Sequence, residues 1–206
     1  MVLKICGITR LVDAQAAVDH GATAVGFVFW SKSPRFVAPE QAATIVSALP
    51  SGVTTVGVFV NESMTTVKTI AERVGLSMVQ LHGDERADEA ALLQVPVVRA
   101  LTLDDADARV AEWPSDTMFL LDAADRVQRG GTGKTVDWDR AGELAARRRV
   151  ILAGGLTAGN VAEAIDRVHP WGVDVSSGVE AAPGVKDAGK VAAFLANARR
   201  AFEGRG

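Results

Sequence analysis

Eight short apolar runs recur along this chain, with little alternation between apolar and polar residues. They cover residues 3–6, 24–29, 54–60, 78–81, 97–101, 118–121, 150–153 and 172–175. Most of their positions are Val, Ile, Leu or Phe. A strand with one wet face shows a period of two. A strand buried on both faces reads as a nearly continuous apolar run, as in a parallel sheet.

Helical patterns lie between the runs. Residues 11–20 stop at Gly21, a residue suited to follow a helix end. Pro39 and Glu40 open the second helix, with proline in the first turn, where its missing N–H costs nothing. Residues 63–74 stop at Gly75. Segments 138–148, 158–168 and 186–202 are alanine-rich and amphipathic, as outer helices should be. A fainter pattern, 104–112, follows the fifth run. Eight strands, each followed by a helix, with no linker or change of composition, predict one α/β domain over residues 1–206: a (β/α)8 TIM barrel. The competing arrangement is an open doubly wound sheet, which normally uses fewer strands.

Composition narrows the function classes. The formal net charge of -3 gives no electrostatic reason to expect nucleic acid or an anionic membrane as partner. A single cysteine excludes an intrachain disulfide framework and fits a reducing compartment, so the expected location is cytoplasmic. The start, M-V-L-K-I-C, lacks the n-region of a secretory signal. No apolar run approaches the roughly 20 residues that span a bilayer. The expectation is a small-molecule enzyme, monomeric or homodimeric.

Barrel enzymes carry their chemistry at the carboxyl ends of the strands. Reactive or polar residues at those ends include Cys6, Arg35, Asn61, His82, Asp122, the Gly154–Gly155 pair, Asp174, Ser176 and Ser177. Each has a plainer reading. Cys6 could be a small buried hydrophobe, yet it closes a strand just before a glycine turn, where nearby cations such as Lys4 would favour thiolate. Asp122 could cap a turn, or act as a proton donor or acceptor at the barrel mouth. Arg35 could be a surface residue, or Pro34 could aim its planar fork at a substrate carboxylate. The loops V-I-L-A-G-G-L-T-A-G-N and G-V-D-V-S-S-G-V-E could be tight turns. They follow the seventh and eighth strands, where this fold usually holds phosphate. His82, in V-Q-L-H-G-D-E, sits at a strand end and could line the site.

Other chemistries lack their motifs. G-G-T-G-K-T, residues 130–135, mimics the tail of a P-loop, but the glycine that motif needs five places before Gly133 is Gln128. The three histidines have no metal-ligand spacing, so no metal is expected. C-G-I-T-R lacks the dinucleotide-binding glycines, and no cofactor is expected.

Several stretches together resemble one family. They are K-I-C-G-I-T-R, G-F-V-F-W-S-K-S-P-R, V-G-V-F-V-N, V-Q-L-H-G-D-E, L-L-D with G-G-T-G-K-T-V-D-W, I-L-A-G-G-L, and D-V-S-S-G-V-E-A-A-P-G-V-K-D. They run in order from residue 4 to residue 187 and resemble phosphoribosylanthranilate isomerases of tryptophan biosynthesis; only residues 86–115 show no family signature. The resemblance implies a (β/α)8 barrel with Cys6 as general base and Asp122 as general acid. It places Arg35 against the anthranilate part of the substrate. It puts the phosphate around Gly154, Gly155, Ser176 and Ser177. The implied reaction is an Amadori rearrangement of N-(5-phosphoribosyl)anthranilate without metal or nicotinamide. Two alternatives remain at this point. A sister phosphoribosyl isomerase of histidine biosynthesis, or a dual-substrate enzyme, would carry an aspartate where Cys6 stands and two similar half-barrels. A non-catalytic phosphosugar-binding barrel would bind without turnover.

Overall fold

The computed structural model describes residues 1–122 and 137–205. Its strands are β1 (Val2–Ile5), β2 (Ala24–Val28), β3 (Thr54–Phe59), β4 (Met78–Leu81), β5 (Val97–Thr102), β6 (Met118–Asp122), β7 (Val150–Ala153) and β8 (Gly172–Val175). They close a barrel in chain order. Every adjacent pair is parallel, and β1 meets β8 with Lys4 opposite Asp174. The helices are α1 (Leu11–Asp19), α2 (Pro39–Ser47), α3 (Met64–Val74), α4 (Ala87–Ala90), α5 (Leu103–Arg109), α6 (Trp138–Ala145), α7 (Val161–Val168) and α8 (Ala188–Glu203). A short antiparallel hairpin, β9 (Glu180–Ala182) and β10 (Val185–Lys186), lies between β8 and α8.

The closed barrel expected from the sequence is therefore present, and the open sheet is not. Element ends differ where side chains cap the backbone. Ser63, inside the expected third helix, instead caps α3 by accepting from the Thr66 N–H at 3.1 Å. The last helix starts at Ala188 rather than 186, because Asp187 accepts from the Lys190 N–H at 2.9 Å and Lys186 belongs to the hairpin. The fourth crossover holds only the single turn of α4. Cys6 lies one residue beyond β1, but its N–H still donates to Val175 O at 2.8 Å, which keeps it on the barrel wall.

Two apolar layers result from the period of two along each strand. Outward residues such as Leu3, Ile5, Phe27, Phe59, Phe119 and Leu121 join the helix faces in one large core. Inward residues Val98, Ala100, Leu120, Ile151 and Ala153 form a separate small cluster inside the barrel. Full burial of each large outward side chain stabilises the fold by roughly 1.5–3 kcal/mol.

A buried ion pair ties the loops on one side of the mouth. Arg99 on β5 donates from Nη1 to Glu85 at 2.7 Å and from Nη2 to Gly83 O at 2.6 Å. Glu85 in turn accepts from the backbone N–H groups of Asn61, at 2.7 Å, and Gly83, at 2.9 Å. Trp113 covers the guanidinium, with its ring centroid 5.6 Å away. The two side chains are 1% and 3% exposed, so neither charge can fall back on water if its partner is lost. Arg99→Met should destabilise the protein by about 3–5 kcal/mol, the usual cost of stranding one buried charge. Urea unfolding checks this; a loss below about 1 kcal/mol would mean that Glu85 is satisfied without Arg99.

Candidate active site

The inward positions change character toward the carboxyl ends of the strands. Lys4 on β1, Gln80 on β4 and Asp174 on β8 replace the apolar layer with a polar one. Lys4 Nζ donates to Asp174 Oδ2 at 2.9 Å and to Gln80 Oε1 at 3.0 Å. Gln80 Nε2 donates to His82 Nδ1 at 3.0 Å. A neutral His82 ring therefore carries its proton on Nε2. This hydrogen-bonded chain floors a cavity of about 550 Å³.

Nine of the ten strand-end candidates line this one cavity: Cys6, Arg35, His82, Asp122, Gly154, Gly155, Asp174, Ser176 and Ser177. Cys6 and Asp122 come from opposite halves of the chain, and strand order brings both to the same mouth. Asn61 does not join them; its side chain and N–H engage Asp84 and Glu85. Trp30, Ser33 and Gln80 also line the cavity. The sequence reading missed them, although Gln80 stands two residues before His82 on the same strand face. The P-loop-like stretch 130–135 lies outside the described residues.

Glycines make the room. Gly26 on β2 faces both Lys4 and Cys6; a Cβ there would lie 2.8 Å from Cys6 Sγ and 3.2 Å from Lys4 Cε. Gly7 has φ +75°, and a Cβ on it would stand 2.6 Å from Arg35 Cδ. Any larger residue at position 7 would thus strain the turn and displace the arginine.

Charge and burial compete at Cys6. Burial pushes the thiol up, Lys4 and Lys186 pull it down, and Asp174 pushes it up again. Its net pKa is above the ordinary cysteine value. The expected cation is in place, but burial outweighs it, so the expectation of a thiol shifted toward thiolate is corrected. Lys4 itself is raised despite burial, because Asp174 and Cys6 favour its charged form. Asp174 Oδ1 is buried without a hydrogen-bond partner among the described residues, at the wall of the cavity.

Arg35 is not solvated as a surface residue would be. Its Nε and Nη2 donate to Glu180 Oε1 and Oε2 at 2.8 and 2.7 Å. Glu180, which sequence reasoning missed, is held at a pKa of about 2: burial opposes its charge, and Arg35 and Lys186 more than compensate. Across the mouth, Gly154 and Gly155 adopt φ +85° and +65°. Asn160 braces their loop, accepting from Thr157 N–H at 2.8 Å and donating to Gly155 O at 3.1 Å. Among the described residues, no group of three His, Cys, Asp or Glu side chains is arranged to hold a metal ion. No helix among them is long and apolar enough to cross a membrane.

Known proteins match this chain over most of its length. A family model described as N-(5'-phosphoribosyl)anthranilate (PRA) isomerase matches residues 3–197. The chain belongs to the PRA isomerase family. The N-(5'-phosphoribosyl)anthranilate isomerase of Pelobacter propionicus is 51% identical over 194 residues, covering 94% of this chain and 93% of that protein. The phosphoribosyl anthranilate isomerase of Thermotoga maritima superposes with a TM-score of 0.90 at 42% identity, covering 97% of this chain and 100% of that one. A second phosphoribosyl anthranilate isomerase structure holds reduced 1-(o-carboxyphenylamino)-1-deoxyribulose 5-phosphate; it superposes with a TM-score of 0.87 at 40% identity, covering 97% of this chain and 100% of that one. Membership makes this chain an enzyme, an isomerase of tryptophan biosynthesis.

The balance at Cys6 has a direct readout. Only thiolate reacts with iodoacetamide, so the alkylation rate should climb with pH through a midpoint above the ordinary value of about 8.5. Lys4→Met removes a cation that favours thiolate and should move that midpoint higher. An unchanged midpoint in a folded Lys4→Met protein would show that the ammonium does not act on the thiol.

Proposed function

We propose that this enzyme rearranges N-(5-phosphoribosyl)anthranilate to 1-(2-carboxyphenylamino)-1-deoxyribulose 5-phosphate, with Cys6 as general base and Asp122 as general acid. The observation that carries this reading is the convergence of Cys6 and Asp122 on one cavity whose far wall is the pair of glycine- and serine-containing loops. Protonated Asp122 donates to the ribose ring oxygen as the C1–O bond breaks, leaving a Schiff base at C1. The Cys6 thiolate then removes the proton from C2, and the electron pair moves through C1 to the nitrogen. The resulting enolamine takes up a proton at C1 and releases the proton of its C2 hydroxyl, which becomes the ketone. The substrate nitrogen is the electron sink, so the chemistry itself calls for neither redox cofactor nor metal.

The surroundings suit the two roles. The general base must lose its proton while the acid keeps one, which requires different environments. Lys4, beneath Cys6, stabilises the thiolate that burial disfavours. Arg35 is proposed to meet the anthranilate carboxylate: its pairing with Glu180 uses Nε and Nη2, and Nη1 is not part of that pair. Gly154, Gly155, Ser176 and Ser177 are proposed to receive the phosphate, since left-handed glycines bring backbone close to a ligand. Asp174 and His82, which line the cavity, are proposed to meet the ribose hydroxyls.

A turnover assay with phosphoribosylanthranilate, coupled to the next enzyme of the pathway, tests the reading. Cys6→Ser and Asp122→Asn should each lower kcat at least about a hundredfold, the lower end of general acid–base effects, with unchanged far-UV circular dichroism. Near wild-type turnover in folded Cys6→Ser would move the base role to another mouth group, with His82 first. Arg35→Ala should lower kcat/KM. A co-crystal should put the product's phosphate at Gly155 and Ser177; a phosphate seated elsewhere would overturn that assignment.

A further inference from the structure

Glu180 sits at the base of the β9–β10 hairpin, and it takes no part in the proton transfers proposed above. It is 8% exposed, and its carboxylate accepts four hydrogen bonds. Oε1 accepts from Arg35 Nε at 2.8 Å, from Lys186 Nζ at 2.9 Å and from the Gly184 N–H at 3.2 Å. Oε2 accepts from Arg35 Nη2 at 2.7 Å. Its backbone carbonyl accepts from Lys190 Nζ at 2.8 Å, so α8 holds it as well.

The donors are themselves fixed. The Lys186 N–H donates to Asp13 Oδ2 on α1 at 3.2 Å, and Lys186 Nζ donates to Ser176 O at 3.2 Å. The stem of Arg35 lies against Gly7, where a Cβ would stand 2.6 Å from its Cδ. The Glu180 carboxylate therefore joins the loops after β2 and β8, and α1 is tied to the same cluster through Asp13.

Guanidinium geometry gives this arrangement a direction. A planar fork presents two edges that can each take a carboxylate with two parallel hydrogen bonds. Glu180 occupies the Nε/Nη2 edge. The Nη1/Nη2 edge is not the one Glu180 takes, and Arg35 lines the cavity. Two cations, Arg35 and Lys186, flank the single Glu180 carboxylate.

We propose that Glu180 is a positioning residue for substrate recognition: it locks the Arg35 fork so that its outer edge selects a ligand bearing an aromatic carboxylate. This rests on the assignment of Arg35 to the anthranilate carboxylate. Locking the fork before the ligand arrives removes the cost of ordering a long, flexible side chain during binding. Glu180 thereby sets carboxylate selectivity without touching the substrate.

The test compares two non-reacting ligands by titration calorimetry. One is reduced 1-(o-carboxyphenylamino)-1-deoxyribulose 5-phosphate; the other is the same compound without the ring carboxylate. Wild-type protein should prefer the first. Glu180→Gln keeps the shape of the side chain but loses its charge, and it should reduce that preference at least about tenfold. Its affinity for the ligand lacking the carboxylate should stay close to wild type. A Glu180→Gln protein that weakens for both ligands alike would overturn the proposal, since a merely structural role predicts that result. An undiminished preference would overturn it too. Arg35→Ala separates the two assignments. If Arg35→Ala keeps the preference, the carboxylate reading of Arg35 fails. If Arg35→Ala loses it while Glu180→Gln keeps it, only the role of Glu180 fails. Should Glu180→Gln not fold by circular dichroism, Glu180→Asp, which keeps the charge and shortens the reach to Arg35, carries the same comparison.

Discussion

A buried ammonium at the centre of the barrel governs the rest of this structure. Lys4 is 2% exposed, in register with Asp174 across the seam where β1 closes on β8. Removing both charges from water costs several kcal/mol per ion, and their attraction repays this only with good geometry and further hydrogen bonds. The 2.9 Å contact and the bond to Gln80 supply both. A pair of well-packed apolar residues would serve stability as well or better. The pair is therefore best understood through what stands above it, a cysteine whose charged form Lys4 favours together with Lys186.

The same layer explains where the cavity is. Below Lys4 and Gln80 lies only a small cavity of about 60 Å³, lined in part by Val56, Val98 and Ile151. Above it, Gly26, Ala100 and Ala153 bring little side-chain volume inward. The larger cavity lies above the polar layer, and a ligand entering from the mouth meets Gln80, His82 and Asp174. The outer core, with Phe27, Phe59, Phe119 and Phe194 fully buried, supplies most of the apolar burial. The interior can then remain partly empty without threatening the fold.

Much of this was legible from residue order alone, for a physical reason. Parallel strands buried on both faces leave a strong signal, so all eight runs and the closed barrel could be read, as could strand-end residues such as Cys6, His82 and Asp122. The period of two extends that reading inward. Lys4 precedes Cys6 by two, Gln80 precedes His82 by two, and Asp174 precedes Ser176 by two, so each pair shares a face. The pairing of Lys4 with Asp174 was not legible, because it depends on the register between the first strand and the last. The β9–β10 hairpin escaped because E-A-A and V-K are too short and polar to show a strand pattern. The Arg99–Glu85 pair escaped because charged residues ordinarily read as solvent-facing. The direction of the Cys6 shift escaped because it depends on how far burial outweighs a visible cation.

Two ionic clamps brace the mouth from different sides, and their placement follows from the needs of a barrel enzyme. Loops that carry function cannot bury much apolar surface without filling the site they form. They still have to hold their groups within a fraction of an ångström. Buried, hydrogen-bonded charge meets both demands, since it fixes loops to one another with short directional contacts and little volume. Arg99 and Glu85 do this between β3, β4 and β5, and Glu180 with Arg35 and Lys186 does it between the loops after β2 and β8. The clamps differ in one respect that bears on function. Arg99 is almost wholly enclosed, whereas the Arg35 side chain is 24% exposed and lines the cavity. One ion pair is sealed into the scaffold. The other leaves part of its cation facing the cavity, where the charge that holds the loops together can also act on a ligand.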